Sequence, residues 1–264
     1  MNKLSSKGRR RFLRFAIISA TMVFCRNLFA SGKCTLSAHQ TVGPFPPKAA
    51  LKRFHDRVNP GALVEITAVD EDLTSRANSA QQAEGQIIEI HGIVQDQHCR
   101  PVSDAQIFVW QADNNGHYNH KSDTSLTGAK LLDKNFQYSA TLKTKTNGQF
   151  SLRTIVPKGY QTAPGRFRTP HIHFLIKLEG YERLITQSYF EGEVLNDISN
   201  IRNLNLKDEI LSSQGKTKPE LAPLIVHFSA TANRPHPQGE LTLTIKKLSW
   251  IQHVINSILY VSDS

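Results

Sequence analysis

Arg168-Thr-Pro-His-Ile-His-Phe-Leu-Ile176 has the composition of a β-strand that carries two histidines. Successive side chains of a strand point to opposite faces, so His171 and His173 share one face while Ile172 points to the other. Two closely spaced imidazoles can form half of a metal site, because imidazole is the commonest protein ligand for metals. Paired strand histidines can also be purely structural, so the remaining sequence must decide between these interpretations.

Several short runs of β-branched and aromatic residues precede and follow this strand. They alternate with turn residues such as Asn147-Gly148 and Pro157-Lys158-Gly159, which favour loops between strands. Short strands with little helical periodicity predict an all-β fold, a β-sandwich of mixed short strands with long active-site loops. The predicted strands are residues 86–94, 105–110, 150–156, 171–178, 184–190, 224–228 and 241–245, with one short helix within 204–214.

The strongly basic charge of the chain is concentrated at its start. The 264 residues carry a formal charge of +10, and residues 1–30 contain seven Lys and Arg and no acid. Taking these seven charges from +10 leaves +3 for the body of the protein. A nearly balanced body gives no electrostatic footprint for DNA or RNA, so we exclude a nucleic-acid partner.

Residues 1–30 have the layout of an export signal. A basic stretch is followed by the apolar run 15–24 and by small residues near Ala30. The apolar run is too short to span a bilayer comfortably, which favours a cleaved signal and predicts no stable membrane anchor afterwards. The run Arg9-Arg10-Arg11 resembles a twin-arginine signal, and an ordinary secretory signal is the alternative. We therefore expect a periplasmic or extracellular protein.

The rest of the chain divides into three predicted parts. Residues 31–84 form an extended N-terminal arm and loop, 85–247 form the β-sandwich core, and 248–264 form a C-terminal tail. Two cysteines, Cys34 and Cys99, remain after the signal. In an oxidising compartment they can close a disulfide that ties the arm to the first strands, or they can be two buried thiols. The sequence leaves both possibilities open.

Two tyrosines, Tyr118 and Tyr160, follow predicted strands and lie in predicted loops, where binding sites are commonly built. Tyr138, Tyr181 and Tyr189 are interpreted instead as packing residues. Phenol has a reference pKa of about 10, so tyrosine ionises only on a strong Lewis acid. Two tyrosinates and two neutral imidazoles on Fe(III) leave one positive charge and an open position. Such a centre suits an anionic oxygen ligand such as a catecholate.

Five segments of the sequence stand out as motifs: Ile90–Asp96 with Arg100-Pro-Val, Val109–Tyr118, Phe150–Pro157 with Tyr160, Arg168–Phe174 and Leu184–Phe190. In these motifs the sequence resembles the intradiol ring-cleavage dioxygenase family, in particular its protocatechuate 3,4-dioxygenase β-subunit branch. The resemblance covers roughly residues 38–245, with the motifs in the order of the family and at compatible spacing.

The resemblance implies a site and a reaction. It implies one non-haem Fe(III) per chain, a catechol-type substrate, O2 as co-substrate and a muconate-type diacid as product. It also implies catalytic roles for Arg168 and Gln187, proton uptake by Tyr160, and a homo-oligomeric assembly. The implied iron ligands are Tyr118, Tyr160, His171 and His173.

Two other functions explain part of the sequence. A cupin-like jelly roll would bind Fe(II), Mn or Zn through His171, His173 and Glu179, but it leaves the tyrosine motifs unexplained. An exported, non-catalytic β-sandwich would bind a catechol-type ligand without turnover.

The segment 161–164 after Tyr160 lacks a tryptophan that the protocatechuate enzymes have there, which leaves the identity of the substrate open.

Overall fold

The computed structural model describes residues 32–46, 70–76, 79–120, 123, 132–213 and 221–253. The predictions for residues 1–30, and for most of 47–84 and of the tail, lie outside the described residues. The described residues contain ten strands: β1 Ile87–Asp96, β2 Gln106–Gln111, β3 Ser139–Lys143, β4 Gln149–Ile155, β5 Tyr160–Ala163, β6 Arg166–Arg168, β7 His171–Lys177, β8 Leu184–Glu191, β9 Ile225–Ser229 and β10 Gln238–Ile245.

Eight of these strands form one sheet in the order β3-β2-β7-β8-β9-β10-β1-β4, and β5 and β6 form a separate hairpin. The β8–β9 and β10–β1 pairs are parallel, and the other pairs of the large sheet are antiparallel. Strand β7 lies between β2 and β8, away from the sheet edges. The all-β prediction is confirmed.

The two halves of the sheet enclose a common core. Four strands lie between the edge strand β4 and strand β7 in the sheet order, yet the ring centroids of Phe150 in β4 and Phe174 in β7 lie 6.3 Å apart. The sheet therefore folds over itself as a sandwich. Gly92 makes room for this core, because a Cβ there would lie 2.0 Å from the Phe150 ring.

The short helix expected within 204–214 is present as α2 (Glu209–Ser213), and it is preceded by a helix that the sequence analysis missed, α1 (Ile198–Lys207). Asp208 separates them, because its backbone is extended and its Oδ1 accepts hydrogen bonds from the backbone N of Ile210 and Leu211. The residue thus ends one helix and caps the next. No helix in the described part of the chain is long and apolar enough to cross a membrane.

The sequence did not predict three of the strands, β3, β5 and β6. Strand β3 is only five residues long, and the β5–β6 hairpin turns at Gly165 with a φ of +76°, a conformation that glycine adopts readily. Tyr160 was expected in a loop, but it opens β5 and pairs with Arg168 of β6. Such short strands carry too little alternation to be recognised from their sequence.

Within the predicted N-terminal part 31–84, residues 34–45 form the segment that is called the arm from here on. The start of the arm is bonded to the sandwich. Cys34 and Cys99 form a disulfide, and the Cys34 amide donates to the Gln97 carbonyl (3.0 Å). Ser37 exchanges two hydrogen bonds with Thr244 near the end of β10, one through its backbone N and one through its Oγ. Of the two possibilities for these cysteines, the structure contains the disulfide.

We predict that Cys34→Ser lowers the free energy of unfolding. The disulfide closes a loop with a sequence separation of 65, and the loss of that constraint on the unfolded chain costs about 4 kcal/mol. Guanidinium denaturation of the oxidised wild type and the variant measures the difference. Wild-type protein treated with a reductant is the control and should match the variant. Equal stability of the oxidised wild type and the variant would contradict the prediction.

Candidate metal centre

Strand β7 presents its two histidines side by side in the interior. His171 and His173 are each 2% exposed, and their ring centroids lie 4.8 Å apart. Trp110 of β2 stacks on His173 at 4.7 Å, with 6° between the ring planes. His171 Nδ1 donates to the Thr169 carbonyl (2.6 Å), because a carbonyl can only accept. This bond fixes the ring and leaves Nε2 of His171 as the basic nitrogen.

Two tyrosines converge on these histidines from different elements. The Tyr118 hydroxyl donates to His171 Nε2 (3.2 Å). The ring of Tyr160 lies 5.7 Å from that of Tyr118 and 5.8 Å from that of His171, centroid to centroid. The Tyr160 hydroxyl and His173 Nδ1 are buried without a hydrogen-bond partner. Buried polar atoms of this kind are rare without a reason, and a bound ion or water is one.

The loop after β2 holds Tyr118 through carboxylates. Asp113 Oδ1 accepts hydrogen bonds from the backbone N of Asn115 and of His117, both at 2.9 Å. Asp123 Oδ2 accepts from the Tyr118 amide (2.7 Å). Aspartates that bond to nearby backbone amides stabilise turns in this way. Their bonds fix the backbone that carries the Tyr118 phenol to the histidines.

A buried arginine lies beside the four side chains. Arg168 Nε donates to Asp208 Oδ2 (2.8 Å), and Arg168 Nη2 donates to Gln187 Oε1 (2.5 Å). The Thr169 amide donates to the same Asp208 oxygen (2.9 Å). Gln187 pairs with His173 across β7 and β8. The structure thus brings together all six side chains that the sequence analysis selected, while their roles stay predictions.

The surroundings keep these groups neutral when no cation is bound. Burial raises the pKa of Tyr118 and of Tyr160, and for Tyr160 the positive Arg168 opposes part of that effect. Burial, followed by the positive Arg168, lowers the pKa of His171. The pKa of His173 is lowered by burial and then by His171 and Arg168. The imidazoles are therefore ready to bind a metal, whereas each phenol must first lose a proton.

The donor set fits a ferric ion. Among the described residues, no three His, Cys, Asp or Glu side chains lie close enough together to hold a metal ion. A metal beside His171 and His173 would therefore need Tyr118 and Tyr160, and phenolate oxygens suit a hard, highly charged cation. The cupin-like site is not assembled, because the Glu179 side chain is 88% exposed and lies 3.7 Å from His253.

Sequence reasoning missed several supports of this site, and three of them lie around Arg168 and His171. Asp208 is fully buried and holds Arg168, and the Thr169 carbonyl orients His171. Tyr189, interpreted as a packing residue, is buried, and its hydroxyl also donates to Gln40 Oε1 (3.2 Å). Of these three, Asp208 alone left a sequence signal, since aspartate is a common residue at a helix N-terminus. That signal indicates the helix cap and not the contact with Arg168.

We predict that Asp208→Ala destabilises the fold far more than Glu209→Ala. The first variant leaves the buried Arg168 guanidinium without its carboxylate, which costs about 3–5 kcal/mol. The second removes a solvent-exposed pair with Arg166, which water screens, so its loss should change stability little. Chemical denaturation of both variants measures the two losses. Equal losses would show that the Arg168–Asp208 pair is not a structural requirement.

A family model described as "Dioxygenase" matches residues 59–220, which is more than half of the chain. The chain belongs to the intradiol dioxygenase family. This confirms the resemblance found in the sequence. The protocatechuate 3,4-dioxygenase beta chain of Burkholderia cepacia is 35% identical over 158 residues, which cover 58% of this chain and 66% of that one. The 6-chlorohydroxyquinol 1,2-dioxygenase of Cupriavidus pinatubonensis is 34% identical over 130 residues, which cover 44% of each chain.

Solved structures of other intradiol dioxygenases share the fold. The 3-chlorocatechol 1,2-dioxygenase of Rhodococcus opacus 1CP superposes with a TM-score of 0.53 at 23% identity, over 83% of this chain and 75% of that one. An intradiol ring-cleavage dioxygenase of Tetranychus urticae gives 0.54 at 22% identity, over 82% and 97%. At this identity the structures establish the sandwich fold alone. The chain spans about two thirds or less of the length of these two curated relatives, so its activity and substrate are proposed below.

Proposed function

We propose that this chain is a non-haem Fe(III)-dependent intradiol dioxygenase. It cleaves the ring of a catechol-type substrate between the two hydroxyl-bearing carbons and uses O2 to form a muconate-type diacid. The observation that carries the proposal is the convergence of two buried phenols and two buried imidazoles beside a buried guanidinium. Membership of the intradiol dioxygenase family supports it.

One ferric ion would be held by Tyr118, Tyr160, His171 and His173. When bound, it supplies a Lewis acid that favours loss of both catechol protons and makes the ring electron-rich toward O2. The protein fixes the orientation of the donors in advance. Thr169 orients His171, Trp110 packs on His173, and Asp123 holds the backbone of Tyr118.

Two groups of the chain act on protons and charge. The Tyr160 oxygen is buried beside the other donors. Tyr160 would give up its proton when iron is loaded, and its phenolate could then take up a proton from a substrate hydroxyl. Arg168 is kept beside the donors by Asp208 and Gln187. A fixed guanidinium in a site shielded from water stabilises negative charge that develops on the substrate. The same burial keeps bulk water away from the reacting groups.

We also propose that the protein works outside the cytoplasm, in the periplasm or beyond the cell. The Cys34–Cys99 disulfide supports this location, because disulfides persist mainly in oxidising compartments. Fractionation of the producing cells, with an antibody and a cytoplasmic marker, tests the location. Recovery of the protein only in the cytoplasmic fraction with reduced cysteines would contradict it. A homo-oligomeric assembly also stays a prediction.

We predict that the protein purified under air has a broad visible absorption band from tyrosinate-to-iron charge transfer. The band should shift when a catechol is added, because the catechol becomes an additional oxygen ligand. Tyr118→Phe should weaken or abolish the band, whereas Tyr181→Phe, at a tyrosine outside the site, should keep it. A colourless wild type that holds stoichiometric zinc or ferrous iron would contradict the proposal.

Loading with iron should release protons from the tyrosines. Both phenols have pKa values above the ordinary value and are protonated near neutral pH, whereas both imidazoles are already neutral. Iron affinity should therefore rise as the pH rises from about 6 to 9, because each ligating phenol gives up one proton.

Titration of the metal-free protein with a ferric chelate in weak buffer measures the release. Tyr118→Phe should release one proton fewer per iron than the wild type, and the comparison cancels protons that come from the chelate itself. Tyr181→Phe is the matched control and should release as many as the wild type. Equal release by wild type and Tyr118→Phe would exclude Tyr118 as an ionised ligand.

The non-catalytic alternative would bind a catechol-type ligand without turnover. All six predicted site side chains are present and lie together, which favours turnover. An oxygen electrode separates the two functions directly, since only the dioxygenase consumes O2 when a catechol is added.

A further inference from the structure

The N-terminal arm runs from the disulfide to the candidate metal centre. Ser37 of the arm bonds to Thr244, as described above. The next residue, Ala38, accepts a hydrogen bond at its carbonyl from Thr186 Oγ1 (2.8 Å). The Gln40 amide then donates to the Ile185 carbonyl (2.9 Å). The arm thus follows β8 to the point where that strand carries Gln187.

Gln40 bonds to this part of β8 through its side chain. Its side chain is buried, and its Oε1 accepts hydrogen bonds from the Gln187 amide (2.9 Å) and the Tyr189 hydroxyl (3.2 Å). A backbone amide can only donate, so the atom facing it must be the carboxamide oxygen. Gln40 therefore acts here as an acceptor that is shared by two groups of β8.

The arm also fixes the side chain of Gln187. Gln187 Nε2 donates to the Thr41 carbonyl (2.9 Å), and a carbonyl has no proton to give in return. This bond defines which end of the carboxamide is nitrogen, so Gln187 Oε1 points to Arg168 Nη2 (2.5 Å). Gln40 thus bonds to the backbone of the residue whose side chain bonds to the guanidinium.

We propose that Gln40 is a positioning residue for the ring cleavage proposed above, on which this inference rests. Through its carboxamide oxygen it holds Gln187, and through Gln187 it holds Arg168 in the orientation that faces the reacting ring. The hydrogen bonds described above join Gln40 to Ile185, Gln187 and Tyr189 of β8. Loss of Gln40 should therefore slow the chemical step while iron remains bound.

Other contacts of the arm require a control for metal loss. Gly43 lies against the metal centre, since a Cβ there would be 3.1 Å from Cε1 of His173. The ring of Phe45 lies 5.0 Å from that of Tyr118. Displacement of the whole arm would thus disturb the metal donors as well. Iron content and the visible band must be measured alongside the rates.

The test compares Gln40→Met with Gln40→Glu. Methionine keeps the length of the side chain but offers no strong acceptor, whereas glutamate keeps an oxygen acceptor at the same distance from the backbone. We expect Gln40→Met to lower kcat by about 10- to 100-fold, because small misplacements of a catalytic group cost this much. KM for the catechol, iron content and the visible band should stay close to wild type, and Gln40→Glu should recover most of kcat. His39→Ala, at the exposed neighbouring arm residue, is the control and should leave kcat unchanged.

The outcomes separate this inference from the function on which it rests. A Gln40→Met variant with wild-type kcat overturns the role of Gln40 alone. Iron loss that matches the loss of rate, or failure of Gln40→Glu to recover activity, also overturns it, because the residue would then be purely structural. A wild type that holds iron and cleaves no catechol overturns the proposed function and this inference together.

Discussion

The candidate site depends on the ion pair between Arg168 and Asp208. Removing a guanidinium and a carboxylate from water costs several kcal/mol for each ion, and only close, well-bonded partners offset such a cost. Asp208 meets that requirement through the Arg168 side chain, the Thr169 amide and two amides of α2. Its charge also offsets that of Arg168, which would otherwise repel a metal cation bound to His171 and His173.

The same pair connects parts of the chain that the sheet does not join. Tyr160 lies on the β5–β6 hairpin, which is outside the eight-stranded sheet, whereas both histidines lie on β7 within it. Asp208 anchors the end of that hairpin to the helices, and Gln187 connects Arg168 to β8. The position of the Tyr160 phenol relative to the imidazoles is thus controlled by polar contacts and by packing. The arm extends this control through Gln40 and the disulfide.

Sequence patterns predicted the sandwich and the six site residues for different reasons. Long runs such as Ile87–Asp96 and Leu184–Glu191 are rich in β-branched and aromatic residues, so their strands could be recognised. The His-x-His pair followed from strand alternation, and Tyr118 and Tyr160 from their positions after predicted strands. Arg168 and Gln187 came from the family resemblance. Asp208 could not be found in this way, because its role depends on a contact 40 residues away along the chain. The split of the helix at this residue had the same cause, since tertiary contacts override weak local propensity.

In the proposed reaction the chain inserts both atoms of O2 into a catechol ring between its hydroxyl-bearing carbons. The most direct measurement incubates the iron-loaded protein with catechol under isotopically labelled O2 and analyses the product by mass spectrometry. We expect a muconate-type diacid that carries one labelled oxygen in each new carboxyl group. Recovery of unchanged catechol, or of a product cleaved beside the diol instead of between its hydroxyls, would contradict it.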